Sequence, residues 1–142
     1  QLKSEGKIEK IIVTGCLAER YQAEIAAEIP EADGFLGVGS FQRLGEAVDR
    51  VLAGERIEWF GPQSELQLEG DRVLTSPVYT SYLKIADGCS NRCAYCCIPA
   101  IRGAYKSRRM EAVLQEAEQL VAGGSRELIL IAQDTTNYGM DL

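Results

Sequence analysis

Tyr79-Thr-Ser-Tyr-Leu-Lys-Ile-Ala86, followed at once by Asp87-Gly-Cys89-Ser-Asn-Arg-Cys93-Ala-Tyr-Cys96-Cys97, is the stretch on which the reading turns. Its first eight residues read as a strand, and that strand runs straight into a loop holding four of the chain's five cysteines. Beyond the loop, Val113, Leu114, Ala117, Leu120 and Val121 recur at helical spacing within Met110 to Ala122, and Gly123-Gly124 closes the helix. Glu127 to Ala132 is then a continuous apolar run, the pattern expected of a strand covered on both faces. The second half therefore reads as strand, long loop, helix, strand: one βαβ unit.

Upstream the same alternation appears. Ile8 to Thr14 is β-branched, ends at Gly15 and reads as a short buried strand. Leu17 to Ile29 places Tyr21, Ile25 and Ile29 four apart, a helix that Pro30 stops. Gly34 to Gly39 reads as a second short strand. Leu44, Ala47, Val48, Val51 and Leu52 mark one face of a second helix, which Gly54 can end. Strand and helix in turn favour an α/β fold with a parallel sheet. From Glu55 to Pro77 the pattern dissolves, with turn signals at Gly61-Pro62, Gly70-Asp71 and Ser76-Pro77. The expected organisation is thus residues 1–54 as one α/β unit, 55–77 as a linker able to hold short extended pieces, and 78–142 as a second unit. Two parallel strands neither close a barrel nor make a stable open sheet. The chain is accordingly expected to be a fragment of a longer polypeptide, and a start without Met and a stop just after Gly139 agree with that.

The 142 residues are 46% hydrophobic and 25% charged, a globular composition that disfavours disorder, collagen and coiled coil. No apolar run approaches the ~20 residues of a membrane span, and the first residues hold no signal-peptide core, so a soluble, cytoplasmic chain without membrane association is expected. The net charge is -6, which argues against direct nucleic-acid binding by this segment, though not against RNA contacts made elsewhere. That charge is uneven. Residues 1–76 hold 8 Lys and Arg against 14 Asp and Glu, whereas residues 77–142 hold 7 of each.

Five cysteines crowded in this way make a poor disulfide framework. The absence of histidine removes every Cys/His zinc site and every His-based nucleophile. Cys89, Cys93 and Cys96 have the spacing C-x3-C-x2-C directly after a strand, and several soft thiolates on one loop can wrap the corner of an iron–sulfur cube. A zinc site more usually draws two separated pairs. Cys97 adjoins Cys96, and neighbouring side chains do not easily meet one ion. It is read as a small buried apolar residue. Three thiolates leave one iron of a four-iron, four-sulfur cluster open to another ligand. A structural metal knuckle or a simple electron carrier is the alternative.

C-x3-C-x-aromatic-C after a first barrel strand resembles the radical S-adenosylmethionine (SAM) superfamily. The resemblance implies that SAM chelates the open iron with Tyr95 near its adenine, and that reductive cleavage gives a deoxyadenosyl radical that abstracts hydrogen from carbon. It extends along Ile98-Pro-Ala-Ile-Arg-Gly-Ala-Tyr-Lys-Ser-Arg-Arg109 and Glu127-Leu-Ile-Leu-Ile-Ala-Gln-Asp-Thr-Thr-Asn-Tyr-Gly139, which are similar to the methylthiotransferase branch. The wording Ala-Gln-Asp-Thr-Thr-x-Tyr-Gly resembles its RimO-type members, which modify an aspartate of a small-subunit ribosomal protein (S-twelve). Val13-Thr-Gly-Cys-Leu-Ala18 resembles the end of the family's N-terminal methylthiotransferase domain, where three cysteines hold an auxiliary cluster. Of those three only Cys16 stands here. The implied fold is the C-terminal part of that α/β domain, followed by the first βαβ of a radical SAM β/α (TIM-like) partial barrel. The implied cofactors are two 4Fe-4S clusters and SAM. The implied partners are the ribosomal protein substrate and an electron donor such as a flavodoxin or ferredoxin. The tRNA-adenosine methylthiotransferase branch shares the cysteine loop. The Asp-Thr-Thr-x-Tyr-Gly ending and the acidic balance favour the protein substrate.

Single residues carry two readings each. Cys16 is a cluster ligand at a strand end, or a core thiol. Lys84, Arg92, Arg102, Lys106, Arg108 and Arg109 stand with only Asp87 between residues 84 and 109. Either they face solvent, or they stabilise an anionic cluster and the SAM carboxylate. Arg102 and Arg109 are singled out among them. Gln133, Asp134 and Thr135 follow the second strand of the βαβ unit, where a β/α barrel places its contacts, or Asp134 makes a turn there.

Overall fold

The computed structural model describes residues 2–66, 68–70, 72–74 and 79–142. The turn expected at Ser76-Pro77 and Asp71 of the expected Gly70-Asp71 turn lie outside these residues. Two compact units, Gln1–Gln67 and Leu68–Leu142, make up the chain.

In the first unit, β1 (Ile12–Thr14), β2 (Gly34–Leu36) and β3 (Ile57–Trp59) form a parallel sheet in that order. Successive side chains of a strand point to opposite faces, and β2 uses both. Phe35 packs with Ile25, Ala26 and Ala32 on the side of α1 (Cys16–Glu28), while Leu36 packs with Ala47, Val51 and Ile57 on the side of α2 (Leu44–Leu52). Phe35 and Leu36 are fully buried. The sheet is thus covered on both faces, which is why so short a β2 is wholly apolar. The first helix kinks at Gln22, where φ is 34°. Part of the stretch expected as linker belongs to this unit: Ile57 to Trp59 pair with Gly34 to Leu36. Asp33 ties the entry to β2 to the N-terminal turn. It accepts from Lys3 Nζ at 2.5 Å and from the Ile11 N–H at 2.9 Å. Lys3 first, then the Ile11 N–H against burial, and then Lys10 hold its carboxyl at about 2.

In the second unit, β4 (Thr80–Lys84) pairs in parallel with β7 (Glu127–Ile131), in register from Thr80 opposite Glu127 to Lys84 opposite Ile131. The crossover between them carries α4 (Met110–Ala122), which packs Leu120, Val113 and Ala117 against Leu83, Ile85 and Leu128. The βαβ unit is therefore as the periodicities suggest, and the chain is mixed α/β. The apolar run of β7 is not covered on both faces among the described residues, since Leu130 is 55% and Ile131 39% exposed. A single helix packed on a two-stranded sheet shields one side of it.

Candidate functional site

The parallel register sends both strands out of the sheet at the same end. Past β4 the Ile85 N–H still reaches the Ile131 carbonyl at 3.0 Å. The chain then forms β5 (Ala86–Asp87), which pairs antiparallel with β6 (Lys106–Ser107). Between β5 and β6 lies the whole cysteine loop with α3 (Ile98–Arg102).

The loop is closed at its neck. The Cys89 N–H donates to the Gly103 carbonyl at 3.2 Å. Gly88 has φ +71°, and a Cβ there would stand 2.3 Å from the Ala104 carbonyl oxygen, so only glycine lets the two strands of chain approach. Further out, Ser90 Oγ accepts from the Tyr105 N–H at 3.1 Å, and Asn91 Nδ2 donates to Asp134 Oδ2 at 3.0 Å. Hence the cysteine loop and the turn after β7 are joined directly.

All five cysteines are free thiols. Cys89 is buried at the neck, whereas Cys93 and Cys96 are exposed on a turn in which the Cys96 N–H donates to the Cys93 carbonyl at 3.0 Å. Cys97 is half-buried rather than buried, and its carbonyl accepts from Ala100 and Ile101 at the start of α3. Among the described residues no three Cys, Asp or Glu side chains are gathered to hold a metal ion. The donor set nonetheless fits an iron–sulfur cluster by its chemistry: soft, unbridged sulfurs on one loop, three of them at C-x3-C-x2-C spacing, without a histidine or a nearby carboxylate pair that would suit a harder ion.

Tyr95 is 91% exposed, and Gln133 is exposed beyond β7. Asp134 does build a turn. It accepts from the Thr136 N–H and hydroxyl at 3.0 and 2.7 Å and from Asn137 Nδ2 at 2.5 Å, as well as from Asn91. The Thr136 hydroxyl foremost, with Asn91 and Asn137 and against burial, holds its carboxyl below the usual range.

The positive cluster is largely neutralised within its own unit. Arg102 donates to both oxygens of Asp87, at 3.2 and 2.9 Å, and Lys84 pairs with the same carboxylate. Buried Arg108 reaches Glu116 and the Lys84 carbonyl. Arg109 meets Glu69, at 3.3 Å through Nε and 2.9 Å through Nη2, and the pairing holds the Glu69 carboxyl below its ordinary value. It lines a cavity of about 460 Å³ along α4 that contains no cysteine. The structure thus gives Arg102 and Arg109 partners other than the ligands the sequence suggests. Arg92 and Lys106 are the two of the six on the surface with no such carboxylate described.

In the first unit Cys16 opens α1 after Gly15 and is half-buried. One turn on, buried Glu19 accepts from the Val38 N–H at 2.9 Å and from Gln63 Nε2 at 3.3 Å. A Cβ on Gly37 would fall 2.0 Å from Glu19 Oε2, so the glycine admits this carboxylate and the start of α1 is tied to the end of β2. Four residues with these positioning contacts, Glu19, Asp87, Ser90 and Asn91, escape a reading of the sequence. The Asp immediately before Gly-Cys was the one available signal.

Residues 83–142, which take in the cysteine loop, α4 and β7, match the Radical SAM superfamily. Nearly the whole chain aligns with proteins named ribosomal protein uS12 methylthiotransferase RimO. That of Pelotomaculum thermopropionicum is 51% identical over 141 residues, covering 99% of this chain and 32% of the relative. That of Geobacter sulfurreducens is 50% identical over 142 residues, covering 99% and 32%. That of Thermoanaerobacter sp. is 49% identical over 143 residues, covering 96% and 33%. Over nearly its whole length the chain is thus similar to RimO-type methylthiotransferases, and it spans about a third of the length of these curated relatives. Among the described residues no helix is long and apolar enough to cross a membrane.

Proposed function

We propose that the chain is part of a cytoplasmic radical SAM methylthiotransferase that converts a C–H bond on the β-carbon of an aspartate in ribosomal protein uS12 into C–S–CH3. The observation that carries the proposal is the C-x3-C-x2-C loop of free thiols, leaving the carboxyl end of the β4–β7 pair inside the stretch that matches the radical SAM superfamily. The names of its relatives support uS12 as the substrate. In this reading the first unit is the end of the methylthiotransferase domain and the second is the first βαβ of the partial barrel.

Cys89, Cys93 and Cys96 hold one 4Fe-4S cluster, and Cys16 contributes one thiolate to an auxiliary cluster. When bound, the first cluster and SAM supply one-electron cleavage of a carbon–sulfur bond, with the electron coming from a flavodoxin or ferredoxin. The chain's own groups do the positioning. Exposed Tyr95 offers an aromatic face to the SAM adenine, Gln133 offers amide contacts at the same edge, and Asp134 fixes the loop through Asn91. Given both substrates in turn, the full-length enzyme is expected to add the mass of a methylthio group to the uS12 aspartate in a mass-spectrometric digest. A gain on tRNA adenosine with none on uS12 would transfer the assignment to the tRNA branch.

A further inference from the structure

The neck of the cysteine loop is spanned by an ion pair between a buried carboxylate and a half-buried guanidinium. Asp87 is the last residue of β5, two before Cys89, and is 2% exposed. Arg102 is the last residue of α3, immediately before the Gly103 whose carbonyl takes the Cys89 N–H. Their contact, at 2.9 and 3.2 Å, therefore joins the two ends of the segment that carries Cys89, Cys93, Cys96 and Cys97. The Gly88 N–H donates to Asp87 Oδ1 at 2.7 Å, which fixes the direction in which the chain enters the loop.

We propose that Asp87 and Arg102 form a positioning clamp, which closes the loop before metal arrives and so presets the thiols of the radical SAM cluster. The inference rests on the reading of those thiols as cluster ligands. Closing a loop costs chain entropy whether or not metal is present, and three ligands on one loop bind more tightly when that cost is met in the metal-free protein. A charge-assisted pair with a buried carboxylate is among the strongest contacts available at the neck. Lys84 provides an internal control. It pairs with the same carboxylate but lies in β4, on the same side of the neck as Asp87, and so it contributes charge without spanning the loop.

The test uses the full-length protein with Arg102→Met, the milder Arg102→Gln, and Lys84→Met. Two readouts are taken: amide hydrogen exchange at Cys89 in the metal-free protein, and the rate at which the reconstituted protein loses iron to a chelator. Arg102→Met is expected to speed both by about tenfold or more, Arg102→Gln in the same direction by at least about threefold, and Lys84→Met by less than about twofold. If Arg102→Met does not fold, Arg102→Gln against Lys84→Met decides. Arg102 variants indistinguishable from wild type, or a Lys84→Met effect as large as theirs, would overturn the clamp. A wild-type protein that takes up no iron defeats the functional reading and the clamp with it. A wild type that loads iron while the Arg102 variants match it defeats the clamp alone.

Discussion

Cys93→Ala is expected to remove the iron of one whole cluster, about four atoms per chain, from the reconstituted full-length protein, while Cys97→Ala leaves the iron content unchanged. The two residues differ in what the fold does with them. Cys93 is exposed at a turn whose only described backbone tie is the Cys96 N–H to its carbonyl, so its sulfur is presented outward with Cys96. Cys97 begins α3, half-buried, with its carbonyl taken by Ala100 and Ile101. Thiolate–metal bonding is worth on the order of ten kcal/mol per site, and with three ligands on the loop the loss of one leaves no substitute. Iron and sulfide analysis after anaerobic reconstitution checks both halves. Full iron in Cys93→Ala, or loss of a cluster in Cys97→Ala, would mean that the ligand set is misassigned.

Gly88→Ala is expected to destabilise the second unit by roughly 2–4 kcal/mol, a large effect for one methyl group. Two independent penalties act together. The backbone φ of +71° is one that an L side chain rarely adopts, and the new Cβ would stand 2.3 Å from the Ala104 carbonyl oxygen and 2.8 Å from that of Gly103. Those obstacles are backbone atoms bound into the neck, so no flexible side chain can yield. Urea melts monitored by circular dichroism should show an earlier transition for the second unit, and iron retention should fall with it. A melt superimposable on wild type would show that the neck is not as close-packed as described.

Several elements were legible in the sequence: α2 from its three-four spacing, β4 as the stretch that leads into the cysteine loop, β7 from its apolar run, and α4 with its glycine stop. The third strand of the first sheet was not. Ile57-Glu-Trp59 is too short to show a period, and it becomes a strand only because β2 offers a pairing edge more than twenty residues away. The cysteine spacing made the thiols visible, but not the groups that hold them. Arg102 looked like a cation available to a ligand, since sequence proximity to a cluster motif says nothing of a carboxylate fifteen residues earlier. Ser90 and Asn91 are single polar residues without a pattern, Asp87 has only its place before Gly-Cys, and all three acquire meaning only when the chain folds back at Gly103. Cys16 stands between these cases. Its strand-end position was legible, whereas Glu19 and its hold on Val38 were not.

The most direct test of the central claim, that the C-x3-C-x2-C loop carries a cluster with an iron open to SAM, is electron paramagnetic resonance of the reduced, anaerobically reconstituted full-length protein. Spectra are taken with and without SAM, in a variant that lacks the Cys16 thiol so that the auxiliary cluster does not obscure the signal. The account predicts a four-iron signal whose g-values and shape change when SAM is added. A reduced cluster signal that SAM leaves unaltered would contradict it.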